Sequence, residues 1–272
     1  MSKTILITGA TDGIGLETAK LLAAEGHRVL LHGRNSEKLA ATRELLSQIN
    51  GAGEFETYRA DLSSLAEVVE LADAVCDRHG RLDVLINNAG VFKLPGPSTL
   101  DGLDLRFLVN TLAPDVLTRR LLPLMSASGR VVNLSSAAQA PVDLDALTGQ
   151  IHLSDSEAYA QSKLGITMWS IFLAQLIPEA GPAIIAVNPA SFLGSKMVKE
   201  AYGSEGKDLS IGADILVRAA LSEEFDDASG RYFDNDIGRF AQPHPDALSS
   251  VKNEKLVSKM EEVIAELTEG KV

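Results

Sequence analysis

The chain has 272 residues, of which 45% are hydrophobic and 23% are charged, a composition typical of a folded domain with a substantial buried core. Its formal net charge of −12 at pH 7 argues against non-specific binding to nucleic acid, because neutralising phosphates requires clustered Lys and Arg. The one cysteine, Cys76, excludes an internal disulfide and a multi-thiolate zinc site, and the five histidines lack metal-ligand spacing, so we expect no metal centre.

Short β-branched runs alternate with helical patterns along the chain. The predicted strands cover residues 4–8, 28–33, 54–59, 82–87, 130–135, 183–188 and 230–234, and the predicted helices cover 36–50, 64–79, 101–124, 155–177 and a first segment that ends near residue 25. This alternation indicates βαβ units and a parallel sheet. No linker divides the chain, so we predict one doubly wound α/β domain over 1–244, with an amphipathic helical extension over 245–272.

The hydropathy of the chain argues against membrane insertion. The first apolar run is interrupted by Gly9 and is too short for a signal peptide. The longest apolar segment, 164–177, is too short to cross a bilayer. We therefore expect a cytoplasmic protein without a membrane span.

The segment TGATDGIG, residues 8–15, joins the first predicted strand to the first predicted helix. Its glycines, Gly9, Gly13 and Gly15, allow the backbone to turn tightly and to approach a pyrophosphate that faces the helix N-terminus. The spacing G-x-x-x-G-x-G differs from the G-x-G-x-x-G of the best-known dinucleotide fingerprint. Its position between strand and helix predicts a phosphate-binding loop rather than a purely structural turn.

The second predicted strand ends in HGRN, residues 32–35. A carboxylate at this point would bind the 2′-hydroxyl of an adenosine ribose, whereas an arginine would pair with a 2′-phosphate. Arg34 therefore favours NADP(H) over NAD(H); the alternative is a solvated surface charge.

Three polar loops, 88–100, 137–154 and 189–210, follow predicted strands. Ligands of open α/β sheets bind outside the carboxyl ends of the strands. These loops are therefore the predicted walls of a substrate pocket.

A tyrosine and a lysine lie four residues apart in the predicted helix 155–177. Two pairs have the spacing of capping boxes, Ser64 with Glu67 and Ser154 with Glu157. The second box starts the helix that contains Tyr159 and Lys163, and residues four apart share one helix face. Both side chains can therefore point at a common ligand.

Further motifs follow in order: ADL (60–62), NNAG (87–90), Asn110 within FLVNTLAP, VVNLSS (131–136) and YAQSK (159–163). Together with the glycine loop, this set resembles the short-chain dehydrogenase/reductase family over essentially the whole chain. The long stretch between Ser136 and Tyr159 and the sequence GRYF near the C-terminus resemble the retinol-dehydrogenase/protochlorophyllide-reductase-like branch. The resemblance implies a Rossmann-type sheet of about seven parallel strands with helices on both faces, a nicotinamide cofactor, and hydride transfer between an alcohol and a carbonyl of a small, hydrophobic substrate.

The resemblance also implies roles for individual residues. Tyr159 matches the general acid/base, Lys163 its partner, Ser136 the residue that holds the substrate oxygen, and Asn110 the anchor of a water-linked proton relay. Asp61 matches an acid that contacts adenine. The residues implied to contact the cofactor are Gly9, Thr11, Asp12, Gly13, Ile14, Gly15, Arg34, Asn35, Asp61, Leu62, Asn88, Ala89, Gly90, Tyr159, Lys163, Pro189 and Ser195.

Physical chemistry supports the role of the tyrosine. A free phenol has a pKa near 10 and is a poor base at neutral pH, but a nearby ammonium and an oxidised nicotinamide both favour the phenolate. In reduction, the Tyr159 hydroxyl would protonate the developing alkoxide, with the Ser136 hydroxyl as a second donor to the same oxygen.

Two positions depart from the family pattern. Ala190 stands where the family usually has glycine after Pro189, and its Cβ is expected to shift the local backbone. Asp12 is an acid in the glycine loop, where some NADP-preferring relatives carry a base.

Other readings of these residues remain open. Tyr159 can be a core tyrosine, Lys163 a surface charge, Ser135 and Ser136 turn residues, and Asn110 a side chain bonded to nearby backbone. The alternative functions are a sensor or scaffold that binds NADP(H) without turnover, and an epimerase or dehydratase that uses the same Tyr and Lys. The resemblance also suggests a homodimer or homotetramer that pairs through the helices 101–124 and 155–177.

Overall fold

The computed structural model describes residues 2–99, 102–178 and 181–268. Within these residues one sheet of eight strands has the order β3-β2-β1-β4-β5-β6-β7-β8. The strands are β1 (Thr4–Ile7), β2 (Arg28–Gly33), β3 (Phe55–Arg59), β4 (Val84–Asn87), β5 (Arg130–Leu134), β6 (Ala183–Asn188), β7 (Tyr232–Asp234) and β8 (Arg239–Ala241).

Helices connect the strands. They are α1 (Gly13–Ala24), α2 (Ser36–Ser47), α3 (Leu65–Arg78), α4 (Leu105–Phe107), α5 (Ala113–Leu121), α6 (Leu144–Leu147), α7 (Asp155–Leu176), α8 (Lys196–Tyr202), α9 (Ser210–Leu221) and α10 (Ser250–Thr268). A π-helical turn, Leu108–Leu112, joins α4 to α5. Residue 101 of the predicted helix 101–124 lies outside the described residues, and the helix begins at Leu105, later than predicted. It consists of α4, the π-helical turn and α5, followed by the 3₁₀ turn Leu122–Leu124.

The predicted doubly wound α/β fold is confirmed. Strands β1 to β7 pair in parallel, and the order reverses between β1 and β4, which is the switch point at which such sheets bind ligands. Buried apolar side chains form one cluster on each face of the sheet, because successive strand residues point to opposite sides. In β1, Leu6 belongs to one cluster and Ile5 and Ile7 to the other.

The seven strands β1 to β7 match the predicted count of about seven parallel strands, and an eighth strand extends the sheet. The last strand, β8, pairs antiparallel with β7. It is stabilised by Phe240, whose ring lies 5.1 Å from that of Phe233 and 5.2 Å from that of Phe225. The chain reverses between the two strands at Gly238, which has a φ of +67° that favours glycine.

Both predicted capping residues begin a helix, but one box is incomplete. Ser154 and Glu157 exchange both hydrogen bonds at the start of α7. At the start of α3, Ser64 accepts the Glu67 N–H, but the Glu67 carboxylate accepts the N–H of Asp61 instead of that of Ser64. Two of the predicted loops contain short helices, α6 in 137–154 and α8 in 189–210.

The C-terminal helix α10 packs against the domain. Its buried residues Leu256, Val257 and Met260 belong to the same apolar cluster as Trp169 of α7. Part of the surface of α7 is therefore covered within one chain, and pairing of two chains through this helix stays a prediction. None of the helices in the described residues combines the length and apolarity needed to span a membrane.

Candidate active site

The carboxyl ends of β1, β4, β5 and β6 lie at one edge of the sheet, because these strands are parallel. The glycine loop follows β1, the NNAG segment ends β4 and continues beyond it, Ser136 follows β5, and Pro189 follows β6. The fold therefore brings to one edge four segments that are distant in sequence.

Lys163 is buried beside this edge. Its Nζ donates a hydrogen bond to the carbonyl oxygen of Leu134, the last residue of β5, at 2.8 Å. Burial lowers its pKa to about 8, because removal from water disfavours the charged ammonium. The reading of Lys163 as a surface charge is therefore wrong, and most of its population still carries the charge at neutral pH.

Tyr159 is half-buried one turn before Lys163. The Lys163 Nζ lies 5.8 Å from the centroid of the Tyr159 ring. On another side, the ring meets the edge of Phe92, with ring centroids 4.8 Å apart. The tyrosine is thus held between the lysine and the loop that follows β4.

Asn110 ties that loop to α7. Its Oδ1 accepts the N–H of Val91 at 2.8 Å, and its Nδ2 donates to the carbonyl of Val91 and to Ser162 Oγ, both at 3.0 Å. These partners lie in other segments, so the reading of a side chain bonded to nearby backbone is wrong. Asn110 belongs to the π-helical turn, a feature found frequently at functional sites.

The loop after β4 approaches Asn110 and Lys163 at Gly90. A Cβ atom at Gly90 would lie 3.4 Å from Asn110 Oδ1 and 3.5 Å from Lys163 Nζ. Gly90, Asn110 and Lys163 therefore come together.

Ser136 and its neighbour have different surroundings. Ser135 is buried, and its Oγ lies 2.6 Å from Thr167 Oγ1. Ser136 is partly exposed, and its Oγ accepts the N–H of Ala138 at 3.1 Å. A hydroxyl that accepts this N–H keeps its own proton available for a further acceptor, as the predicted role of Ser136 requires.

The sequence motifs did not identify the residue that holds the backbone of Ser136 in place. The hydroxyl of Tyr232 donates to the Ser136 carbonyl oxygen at 3.1 Å. Burial, together with Asp234 and Asp236, raises the pKa of Tyr232 above its ordinary value, so this phenol remains a neutral donor. The sequence signal for this residue is the GRYF motif, which contains Tyr232.

The glycine loop packs closely on the segment after β4. A Cβ atom at Gly15 would lie 2.3 Å from the Gly9 carbonyl oxygen and 2.4 Å from Asn88 Nδ2, so no larger residue fits. The Asn88 amide donates to the Thr8 carbonyl at 2.8 Å, and the Ala89 N–H donates to the Thr8 hydroxyl at 3.0 Å. These contacts bring Asn88 and Ala89 to the loop.

One face of the glycine loop remains open. A Cβ atom at Gly13, whose φ is +54°, would have Ser195 Cβ at 3.7 Å as its one neighbour within 4 Å among the described residues. Ser195 begins α8, where its Oγ accepts the N–H of Val198. Backbone N–H groups beside an open face and before a helix fit the phosphates of a dinucleotide.

His32 supports the same loop and was missed from the sequence. Its Nδ1 accepts the N–H of Gly9 at 3.2 Å, and its Nε2 lies 3.1 Å from the Ala60 carbonyl oxygen. Burial lowers the pKa of His32 to about 4, so the ring is neutral and the proton on Nε2 satisfies both contacts. The sequence signal for His32 is its position as a polar residue inside the apolar strand β2.

Arg34 and Asp61 mark the predicted adenosine end. Arg34 is exposed at the end of β2. Partial burial alone would raise the pKa of Asp61, but hydrogen bonds from Ser63 and the charge of Arg34 lower it. Arg34 therefore acts electrostatically on Asp61, while Leu62 beside it is buried in the core.

Asp12 and Asn35 have structural partners in addition to their predicted role. Asp12 caps α1 by accepting the Gly13 N–H at 2.8 Å, and its carboxylate lies 3.5 Å from Lys38 Nζ. Asn35 caps α2 by accepting the Lys38 N–H at 2.8 Å. The acid in the glycine loop is thus paired with a lysine.

The remaining predicted cofactor residues lie at the borders of the site. Thr11 is close to the end of β2, since a Cβ atom at Gly33 would lie 2.8 Å from its Cγ2. Ile14 packs against the apolar cluster that contains Ile5 and Ile7. The carbonyl of Pro189 accepts a hydrogen bond from Asn235 Nδ2 at 3.0 Å.

Comparisons with known proteins indicate the same family that the sequence motifs resemble. The family model described as short chain dehydrogenase matches residues 3–205. Retinol dehydrogenase 13 from Homo sapiens is 32% identical over 251 residues, which cover 85% of this chain and 76% of that protein.

Solved structures are also similar. An uncharacterised protein from Mycobacterium paratuberculosis has a TM-score of 0.79 and 27% identity, covering 96% of this chain and 93% of that one. The landomycin C-6 ketoreductase LanV, solved with bound NADP and rabelomycin, has a TM-score of 0.68 and 26% identity, covering 86% of this chain and 94% of that one.

Proposed function

This chain belongs to the short-chain dehydrogenase family, and on that premise we propose that it transfers hydride between NADP(H) and a carbonyl or alcohol group of a small, hydrophobic substrate. The observation that carries the proposal is the buried ammonium of Lys163 beside Tyr159, at the sheet edge that also holds the glycine loop. An ammonium in this position favours the phenolate and so makes the tyrosine a proton carrier near neutral pH.

The residues at the sheet edge fit a nicotinamide dinucleotide. Gly13 leaves room for a pyrophosphate at the start of α1, Gly9 and Gly15 allow the close packing that shapes the loop, and Arg34 offers an exposed cation for a 2′-phosphate. When bound, the nicotinamide supplies or accepts the hydride. The ketoreductase LanV was solved with NADP, and this similarity supports the same cofactor here.

The protein residues would manage the proton. In reduction, the Tyr159 hydroxyl gives its proton to the substrate oxygen, and the Ser136 hydroxyl donates a second hydrogen bond to that oxygen. Lys163 lowers the free energy of the phenolate that remains. Asn110 keeps the loop that carries Val91 in place against α7.

The exposed surface near the site favours an apolar substrate. Phe192 lies in the loop after β6, and Ile237 lies in the turn between β7 and β8; both side chains are 54% exposed. The two segments meet, since Ser191 donates hydrogen bonds to Asp236. An apolar rim of this kind suits a hydrophobic substrate, such as the retinol in the name of the human relative.

Turnover tests the proposed function directly. With NADPH and a panel of ketones, aldehydes and quinones, including retinal, we expect loss of absorbance at 340 nm with at least one substrate and none with heat-inactivated protein. The same panel with NADH measures cofactor preference. Saturable NADPH binding without turnover across the panel would instead support the sensor or scaffold.

The second enzyme alternative has less support. An epimerase or dehydratase acting on a nucleotide sugar needs a binding region after β6. Between β6 and β7 the described residues form the short helix α8, the helix α9 and a single 3₁₀ turn. This segment is too small for such a region.

Replacing Arg34 by Ala should change cofactor preference. Loss of a charge-assisted hydrogen bond to the 2′-phosphate is expected to raise the Kd for NADPH by about 10- to 100-fold, while the Kd for NADH stays close to its wild-type value. Isothermal titration with both cofactors measures this difference. The control is Arg43→Ala, which removes an exposed arginine on α2; equal losses for NADPH and NADH would exclude the 2′-phosphate contact.

A further inference from the structure

The turn that follows β6 has an unfavourable backbone conformation. Ala190 has a φ of +114° and Phe192 a φ of +58°. Among the described residues, these are the two non-glycine residues with positive φ. Residues with a Cβ atom rarely adopt such angles, and they keep them when surrounding contacts hold the backbone in place.

The sequence explains why the strain arises here. Alanine stands at position 190, where the family pattern has glycine, and an added Cβ is predicted to shift the local backbone. The backbone of Ala190 instead lies in the region that favours glycine. The free energy that keeps it there must come from another part of the molecule.

Asp236, in the turn between β7 and β8, contacts the strained turn on both sides of Ala190. Its Oδ1 accepts the N–H of Ser191 at 2.9 Å, and its Oδ2 accepts the Ser191 hydroxyl at 2.5 Å. Oδ2 also accepts a hydrogen bond from Asn188 Nδ2 at 3.0 Å. One carboxylate thus links Asn188, two residues before Ala190, to Ser191, the residue after it.

Additional contacts fix this carboxylate. Asn188 Nδ2 also donates to Asp234 Oδ1 at 2.8 Å, and Lys207 Nζ lies 3.6 Å from Asp236 Oδ1. Partial burial alone would raise the pKa of Asp236, but hydrogen bonds from Ser191 and Asn188 and the charge of Lys207 lower it. The group is therefore an anion with strong acceptor oxygens at neutral pH.

The far end of the same loop reaches the candidate cofactor site. Ser195 is four residues beyond Ser191, and its Cβ lies 3.7 Å from the position that a Cβ at Gly13 would occupy. One short loop therefore contains both the strained turn at 190–192 and the residue that faces the open side of the glycine loop.

We propose that Asp236 is a positioning residue, which holds the strained turn at Ala190 and thereby keeps Ser195 against the glycine loop for cofactor binding. This inference rests on the proposed function, because it requires NADP(H) at the glycine loop. It assigns to the turn between β7 and β8 a part in cofactor affinity, although Asp236 itself need not touch the cofactor.

A double-mutant cycle tests the proposal. We expect Asp236→Ala to raise the Kd for NADPH by about 10-fold, because the turn loses the hydrogen bonds that the Asp236 carboxylate accepts from Ser191 and Asn188. In the Ala190→Gly background the same change should raise Kd by about threefold or less, because glycine adopts the required φ without the carboxylate. Ala190→Gly alone should leave Kd near the wild-type value.

Two controls make the result specific. Asp214→Ala removes an equal charge from the exposed surface of α9 and should leave NADPH affinity unchanged. Asp236→Asn retains a side chain of the same shape and one acceptor oxygen, so it should fold and give a smaller loss than Asp236→Ala. Hydrogen exchange at the Ser191 amide should be faster in Asp236→Ala than in wild type.

The outcomes separate the two proposals. If wild-type protein binds neither NADPH nor NADH, the proposed function fails and the inference fails with it. If wild-type protein binds NADPH but Asp236→Ala binds it equally well, or loses the same factor in both backgrounds, the inference alone is refuted.

Discussion

Replacing Tyr159 by Phe is expected to lower kcat by about 10²- to 10⁴-fold, the usual contribution of a positioned proton donor, while NADPH binding remains close to wild type. The change removes the hydroxyl and keeps the ring, so the contact with the edge of Phe92 is retained. Lys163 also keeps its hydrogen bond to the Leu134 carbonyl. Steady-state rates with the best substrate of the panel, together with a titration of NADPH, measure both quantities.

A matched control separates chemistry from stability. Tyr58→Phe also removes a phenolic hydroxyl, one that lies 2.9 Å from His79 Nε2 between β3 and α3. We expect this control to lower the unfolding free energy slightly and to leave kcat unchanged. Full activity in Tyr159→Phe would refute the proton-transfer role, and an equal loss in both variants would attribute the loss to folding.

The order of strands and helices could be predicted because each βαβ unit is a local pattern. Apolar runs of four to six residues, separated by amphipathic segments, are sufficient to predict parallel strands. The strand β8 has three residues, Arg239–Ala241, and no alternation long enough to detect. It forms because Phe240 meets Phe225 and Phe233, contacts between residues that are not neighbours in sequence.

The sequence motifs were sufficient to name residues of the candidate site but not to predict their surroundings. The motifs named Tyr159, Lys163 and Asn110, and the structure brings Lys163 and Asn110 together at Gly90. The burial of Lys163 could not be predicted, because its partner is a backbone carbonyl at the end of β5. A lysine at helical spacing from a tyrosine has the same sequence pattern whether it is buried or exposed.

Supporting residues were missed for a related reason. His32 and Asp236 act on backbone groups of other segments, the N–H of Gly9 and the N–H of Ser191. A backbone group carries no sequence signal of its own, so the partner cannot be identified before the fold is known. Such residues are visible in the sequence as polar side chains inside an apolar strand or within a tight turn.

Arg106 is a further supporting residue of this kind, and it is completely buried. Its guanidinium donates to both carboxylate oxygens of Asp104, at 2.8 and 2.6 Å, to Asp155 at the start of α7, and to the carbonyl of Phe92 at 3.3 Å. One side chain therefore joins the loop after β4 to the helix that carries Tyr159.

Arg106→Met is expected to lower the unfolding free energy by about 3–5 kcal/mol, because it leaves the Asp104 carboxylate, whose side chain is 14% exposed, without its cation. The lower end applies if water reaches Asp155, whose side chain is 40% exposed. Urea denaturation measures the change against Arg120→Met, whose exposed pair with Asp73 should contribute about 1 kcal/mol or less. In protein that remains folded, kcat should fall more than NADPH affinity, since the carbonyl of Phe92 loses a donor and the Phe92 ring contacts Tyr159. An unchanged unfolding free energy would show that the guanidinium does not hold these segments together.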